Sequence, residues 1–326
     1  MSAAPPFVLD PSIPAALTTE RVRCCVCGPA PREAVATAYD YEYRSSRQPW
    51  IYVRCSGCGL VFLEERPTAA ELPRIYPPHY YSFDEGKRSN PLVAKLRGRL
   101  EAGKARQFAE HVSKPDARVL DVGSGDGRFL EVLRRAGPPG WRLEGLDIDS
   151  GAVERGRAKG LTMHQARLED FDGHAEGYDL IVLMQVLEHV SDPRDTCRRI
   201  RRLLAPGGVF AIETPDVAGF DERLFRDGLW GGYHVPRHWN LFTPENLSRL
   251  LEEEGFETLE KRPLVSTSFW INSLYNRALV SGAGPRTLRF LDYQNPVLLG
   301  VFLPLERLAI ALGRRTSNQR LVARRV

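Results

Sequence analysis

The stretch "ARVLDVGSGDGRFLEVLRRAG", Ala117 to Gly137, constrains the fold more than any other part of the chain. A buried apolar run ends in glycines and passes at once into a helical pattern, with Phe129, Leu130 and Leu133 on one face. Gly123, Gly125 and Gly127 follow a G-x-G-x-G spacing, and Arg128 stands where a dinucleotide fingerprint needs its last glycine. The Gly-Lys-Ser/Thr of a P-loop is absent too, so the loop permits close backbone approach of a ligand without being built for a pyrophosphate. Further short apolar runs follow: "WRLEGLDID", "LTMHQA", "YDLIVLMQV" and "GVFAIET". Separated by helical patterns, they predict a doubly wound α/β sheet covered on both faces. Between two of them "SDPRDTCRRIRRLLAPGG" reads as a helix, with Asp192 as N-cap and Pro193 in the first turn. Asp147 ends the second strand about twenty residues past the glycines, where an acid accepts hydrogen bonds from ribose hydroxyls.

The cysteines form a second, separate pattern. Five of the six lie in the first sixty residues, and Cys24, Cys27, Cys55 and Cys58 make two Cys-x-x-Cys knuckles. Each knuckle is followed by a glycine, Gly28 or Gly59, which lets the backbone turn under the sulfurs. Two knuckles deliver four thiolates to one tetrahedral zinc, and four protein ligands close its coordination sphere, so a metal here holds structure. Cys25 is surplus to this set, and the segment between the knuckles suits a small hairpin. A redox-active dithiol is the rival reading. Cys197 falls on the predicted helix as a small core residue.

Five segments now fall in a recognisable order: "VLDVGSGDGRFL", "LEGLDID", "ARLEDFD", "YDLIVLMQVLEHV" and "LLAPGGVFAIETP". Over roughly residues 118–256 the chain resembles the class I S-adenosylmethionine-dependent methyltransferases. The resemblance implies a Rossmann-like, mostly parallel seven-stranded sheet. It implies that Asp121, Gly123, Gly125 and Gly127 cradle the methionine moiety and that Asp147, with Ile148 after it, holds the ribose. Leu168 and Glu169 would lie by the adenine, and Met184 and Gln185 would line the cleft at the end of the fourth strand. The lead-in "RCSGCGLVFLEERPTAAEL" and "YPPHYYSF" resembles a bacterial subset with zinc knuckles ahead of the methyltransferase domain. In related sugar C-methyltransferases tyrosines after the zinc module reach the cofactor, which makes Tyr76, Tyr80 and Tyr81 the candidates here.

Methyl transfer from a sulfonium needs an aligned nucleophile and, where that nucleophile carries a proton, a base. Histidine is the natural base. His111 and His164 lie outside the expected mouth of the sheet, His174 sits in a polar loop, and His79 belongs to the tyrosine-rich lead-in. His189, in "LEHV", matches a residue often seen in the family just past the fourth strand. His234 and His238, in "YHVPRHWN", follow the fifth strand, where an insertion overhangs the ligand cleft. Pro236 between them speaks against one regular helix through both, and no third ligand of suitable spacing accompanies them as a metal pair. The related sugar enzymes place a glutamate before the basic histidine. Arg237 occupies that position here and points to an anionic acceptor or to a structural ion pair.

The remaining features bound the setting. Lys+Arg 45 against Asp+Glu 41 gives a net charge of +4, too little to indicate nucleic acid. The start lacks the pattern of a secretory signal, and Pro304, Glu306 and Arg307 interrupt the longest apolar run, so the expectation is a cytoplasmic protein. The expected organisation is a zinc-ribbon-like module over 20–66, a helical lead-in over 67–115 covering the cofactor site, and a methyltransferase domain over 116–326. Within the last, "QRLVARRV" reads as the final strand, leaving 264–316 as an apolar helical insertion. That insertion is either packed on the core or a lid or membrane-contacting patch for a bulky or lipid-linked acceptor. The reading is a methyltransferase using S-adenosylmethionine and a structural Zn²⁺, acting on an oxygen or activated carbon of a sugar or specialised metabolite. A zinc-module RNA methyltransferase and a non-catalytic zinc-dependent interaction protein are the rivals.

Overall fold

The computed structural model describes residues 5–77, 91–225 and 227–326, without the side chains of 6 and 91–97. Its first strands are short: β1 (Thr19–Arg21), β2 (Arg32–Ala38), β3 (Trp50–Cys55), β4 (Val61–Leu63) and β5 (Glu65–Pro67). Strands β2, β3 and β4 pair in antiparallel succession, and β1 pairs with β5. Helix α1 (Pro91–Glu110) leads into β6 (Arg118–Val122), α2 (Arg128–Ala136), β7 (Arg142–Asp147), α3 (Ser150–Ala158) and β8 (Thr162–Gln165). Then come β9 (Tyr178–Met184), α4 (Pro193–Leu203), β10 (Leu204–Pro215), β11 (Asn240–Leu241), α5 (Pro244–Glu253) and β12 (Phe256–Leu264). The chain closes with α6 (Thr267–Val280), α7 (Pro285–Phe290), α8 (Pro296–Ala311) and β13 (Asn318–Arg325).

Strands β6 to β10, β12 and β13 form one seven-stranded sheet in the order β12-β13-β10-β9-β6-β7-β8. Its five-strand portion is parallel, and β13 runs antiparallel to both β10 and β12. Alternation along the strands divides the core between two faces. Leu120, Val122, Ile181, Leu183, Phe210 and Ile212 point one way, onto α4 and α5. Val119, Leu180, Val182, Val209 and Ala211 point the other, onto Phe108 of α1 and Phe129, Leu130 and Leu133 of α2. The caps follow the sequence: Asp192 accepts from the Asp195 amide, and Thr243 and Asn246 form a capping box on α5.

The amino-terminal strands do not stand apart from this sheet. Strand β11, from the segment after β10, pairs with β4 through Asn240↔Phe62 and Leu241↔Val61. It completes a four-stranded sheet in the order β11-β4-β3-β2. Cys24, Val26, Val53, Cys55, Leu60 and Phe62 belong to the same apolar cluster as Leu120 and Val122. The Tyr52 hydroxyl reaches back from β3 to the carbonyls of Tyr233 (2.7 Å) and His238 (2.6 Å).

Arg237 locks this arrangement and corrects the expectation that it faces an acceptor. Its side chain has no exposed surface. Nη1 and Nη2 donate to the two carboxylate oxygens of Asp40 at 3.2 and 2.9 Å, Nε donates to the Ile75 carbonyl at 2.7 Å, and Nη1 also donates to the Val235 carbonyl at 2.9 Å. The guanidinium lies 4.3 Å from the centre of the Tyr43 ring. Burial of Asp40 opposes ionisation, but the Arg237 charge and hydrogen bonds outweigh it and hold the carboxyl below its ordinary range. Arginine here is a structural ion pair, because every direction its fork offers is spent on protein.

Helix α8 carries a second buried charge. Glu306 has no exposed surface and accepts from the Ser266 amide (2.7 Å) and hydroxyl (2.9 Å). Burial pushes its carboxyl up to about 7, against the pull of those two hydrogen bonds. Between the ordinary glutamate value and that raised one, the folded protein holds a proton that the unfolded chain releases. The resulting stability is full at lower pH and is lost as pH rises through about 7. Glu306→Gln should therefore gain thermal stability over the wild type as pH rises from about 5 to about 7 and keep that gain above it; melting curves on both sides of this interval check it. Arg237→Ala should destabilise by roughly 3–5 kcal/mol in denaturant titration, because it strands Asp40 in the interior.

Candidate functional site

The carboxyl ends of the parallel strands open into a cleft of about 1980 Å³. At one end stands the turn after β6. Gly123 (φ +73°) donates its amide to the Leu146 carbonyl at 2.8 Å, and a Cβ there would come within 2.5 Å of Val186. Gly125 (φ +55°) differs: a Cβ there would meet no atom within 4 Å, because the residue lines the open cleft. The turn thus presents bare backbone to the space where a ligand would lie. Asp147 takes the Gly125 amide on one carboxylate oxygen (2.7 Å) and the Asp149 amide on the other (2.9 Å). Asp121 is buried beneath, its carboxyl pushed up to about 8 by burial and by the Asp147 charge.

Apolar and polar groups continue along this wall. Ile148 is 68% exposed yet lines the cleft, with Leu168 and Glu169 nearby in the lining. Gln185 lies beyond Met184 in a left-handed conformation (φ +55°) and donates its amide to the Glu213 carbonyl at 2.7 Å. A non-glycine residue in that region marks a backbone held by its surroundings at a site. The Glu213 carboxylate, fully buried, is kept ionised despite its burial by Lys104 (2.6 Å) and Arg320 (2.6 Å). Lys104 also lies 3.6 Å from the Met184 sulfur. None of Lys104, Glu213 and Arg320 was singled out by spacing, because their partners lie more than a hundred residues away.

The structure brings His189, His234 and His238 together on the facing wall. Ring centres are 4.6 Å apart for His189 and His238, 4.9 Å for His234 and His238, and 6.4 Å for His189 and His234. His238 and His189 are each anchored through Nδ1 to a backbone carbonyl, Gly232 (2.8 Å) and Arg237 (3.0 Å). A carbonyl only accepts, so in the His238 ring Nδ1 carries the hydrogen and Nε2 the lone pair, whereas His189 Nδ1 lies between the Arg237 carbonyl and the Tyr76 hydroxyl. Burial drives both below the ordinary histidine range, His189 to about 3 and His238 well below, with the neighbouring rings adding to the effect. His234 differs in having an acid: its Nδ1 lies 3.1 Å from Glu42 Oε1, which Asn272 of α6 also approaches at 3.3 Å.

Glu188 sits beneath the rings with no exposed surface. Its Oε2 accepts from Thr214 (2.9 Å), while Oε1 lies 4.0 Å from His238 Nε2 and has no hydrogen-bond partner among the described residues. Burial pushes this carboxyl up to about 8. Ligand atoms of Glu188, His189 and His238 lie within 4.8 Å of one another, so a cation could be held there. This grouping draws Glu188 and His189 from the turn after β9 and leaves out His234, so it is a different set from the His234 and His238 pair weighed in the sequence. Tyr76 lies within the cleft, its hydroxyl 2.9 Å from His189 Nδ1. Tyr80, Tyr81 and His79 lie outside the described residues. His111 and His164 pair with Glu260 and Glu144 (2.9 Å each), away from the cleft lining.

The four knuckle cysteines converge on the opposite flank of the shared core. Sγ separations are 3.4 Å for Cys24–Cys58, 3.1 Å for Cys27–Cys55 and 3.7 Å for Cys24–Cys27. Tetrahedral zinc with bonds of about 2.3 Å sets neighbouring sulfurs about 3.8 Å apart, so the cage needs only slight expansion. Gly28 and Gly59 (φ +72° and +76°) turn their amides onto the Cys24 and Cys55 carbonyls. Cys25 points away, toward Asn240 Oδ1 at 3.7 Å.

Comparison with known proteins agrees with this fold. A family described as "Methyltransferase domain" matches residues 92–261, more than half of the chain. The ubiquinone biosynthesis O-methyltransferase of Aromatoleum aromaticum is 30% identical over 158 residues, covering 44% of this chain and 65% of that protein, just under two thirds of its length. Its namesake from Roseobacter denitrificans is 27% identical over 204 residues, covering 56% of this chain and 80% of that protein. Among solved structures, a candidate sarcosine dimethylglycine methyltransferase from Galdieria sulphuraria shares the fold. Its TM-score is 0.50 at 20% identity, covering 76% of this chain and 96% of that one. With the strand order, the bare glycine turn and the match over 92–261 in agreement, the chain belongs to the class I S-adenosylmethionine-dependent methyltransferases.

Proposed function

We propose that the protein methylates an oxygen, or an activated carbon, of a small sugar or specialised metabolite that carries a bulky apolar part. The carrying observation is that one cleft is bounded by the glycine turn and Asp147 at one end and by the histidine cluster at the other, with α6 to α8 along its side. S-adenosylmethionine supplies the electrophilic methyl. On this reading Asp147 holds the ribose, Ile148 and Leu168 flank the adenine, and Asp121 and the glycine turn cradle the methionine end. Met184 and Gln185 lie toward the acceptor. The relatives' names favour oxygen as the methylated atom, and the apolar lining from Phe269, Leu288 and Leu303 suits a non-nucleic acceptor.

His234 is the best-supported base, ahead of His238. The Glu42 carboxylate beside its Nδ1 accepts a hydrogen bond from that nitrogen in the tautomer that leaves the lone pair on Nε2. His238 and His189 have only carbonyls behind them and sit in surroundings that resist a cation. They are better suited to shaping the acceptor pocket, as is Tyr76.

The four thiols are proposed to hold one structural zinc. Reduced protein should contain about one zinc per chain, and Cys55→Ser with Cys58→Ser should lose it and lower the melting temperature. Metal analysis that finds none overturns the zinc assignment, and a second equivalent lost only in Glu188→Gln would turn the histidine cluster into a metal centre. For the enzyme itself, calorimetry should show saturable S-adenosylmethionine binding that Gly125→Val removes; no binding at millimolar cofactor sinks the methyltransferase reading. Against a panel of phenolic and sugar acceptors, His234→Gln should cut turnover about 10²-fold or more while cofactor affinity holds. Retained turnover removes it as the base.

A further inference from the structure

Helix α8 is built inside out. Val297, Val301, Leu305, Leu308 and Leu312, running just past its end, are 42–69% exposed. At 100° per residue these positions share an arc of about 80°. Gly300, Pro304 and Ala311 are also exposed, so Arg307 is the one charged residue on the solvent side of the helix. The helix's carboxylate, Glu306, faces inward with no exposed surface. Exposed Phe290 and Tyr293 extend the apolar surface beyond the helix. A solvated helix shows the opposite pattern, with charge outside and leucine inside.

We propose that this face docks on an anionic lipid surface, with α8 lying in the plane of the interface. The charge around it fits such a partner. Within 264–316, Arg277, Arg286, Arg289, Arg307 and Arg314 are exposed, against the single exposed acid Asp292. Arginines at the rim of an apolar stripe meet lipid phosphates while the stripe enters the acyl boundary. A second copy docking by the same face would bring those arginines toward one another. Among the described residues no helix is long and apolar enough to cross a membrane. The same helix offers Leu299 and Leu303 to the cleft, so the lipid-facing and cleft-facing walls are two sides of one element.

The test is co-sedimentation of the full chain with vesicles of phosphatidylglycerol and phosphatidylcholine, and separately of phosphatidylcholine alone. It reads partition and no turnover, so failure of the methyl-transfer reading would leave it standing. Wild type should pellet with the anionic vesicles, less at high salt and less with neutral ones. Leu305→Glu with Leu308→Glu should weaken that partition about tenfold or more. Both positions are exposed, and unchanged circular dichroism and melting would certify the variant's fold. Equal pelleting of wild type and variant, or no pelleting with either vesicle, overturns the proposal. A stable dimer in ultracentrifugation that the double variant dissociates would assign the face to a second copy and overturn it equally.

Discussion

A guanidinium with no exposed surface must have its donors answered by protein, and in this molecule the answers come from three parts of the chain. Arg237 draws its carboxylate from Asp40 in the knuckle module, one carbonyl from Ile75 in the lead-in and another from its own loop. The loop that carries the histidines is therefore fixed by residues made long before it. The His238 backbone carbonyl is held by Tyr52, and the next residues pair with β4. The histidine-bearing wall is a product of the amino-terminal strands as much as of the sheet behind it.

The glycine-turn end of the cleft is organised by different physics. There the sheet's own strand ends, a turn of positive-φ glycines and the charged set Lys104, Glu213 and Arg320 set the shape. Buried ion pairs of this kind specify geometry more securely than they add stability, since removing one partner leaves a charge in the interior. The two ends thus have separate supports: backbone geometry at the glycine turn, and long-range contacts with the module at the histidines. The cleft joins two independently held surfaces, which suits a reaction needing alignment of two molecules.

This division explains what the sequence revealed. Strand, turn and helix around Gly123 to Gly127 announce themselves within some twenty residues, because hydrophobic period and glycine placement are local signals. The cysteine knuckles are equally local. The closing strand was legible too, since all of "QRLVARRV" but its last residue lies within β13. What could not be read was pairing across distance. Nothing near Asn240 announces that it will extend a sheet begun before residue 70, and nothing near Asp40 or Glu42 marks them as partners of Arg237 and His234. Arg237 misleads for the same reason: its residue type fits an anion, and only the fold shows that the anion is already inside the protein.

The pairing of β11 with β4 also has a meaning for how the chain is made. Strands β2 to β4 leave the ribosome early, yet their sheet keeps an open edge at β4 until Asn240 and Leu241 arrive. An unpaired edge is a template for wrong partners. During synthesis the module must wait through the whole parallel sheet before its last strand exists. The four-stranded sheet gains its last strand only after β6 to β10 have been made, and the histidine-bearing loop is fixed against it by the same segment.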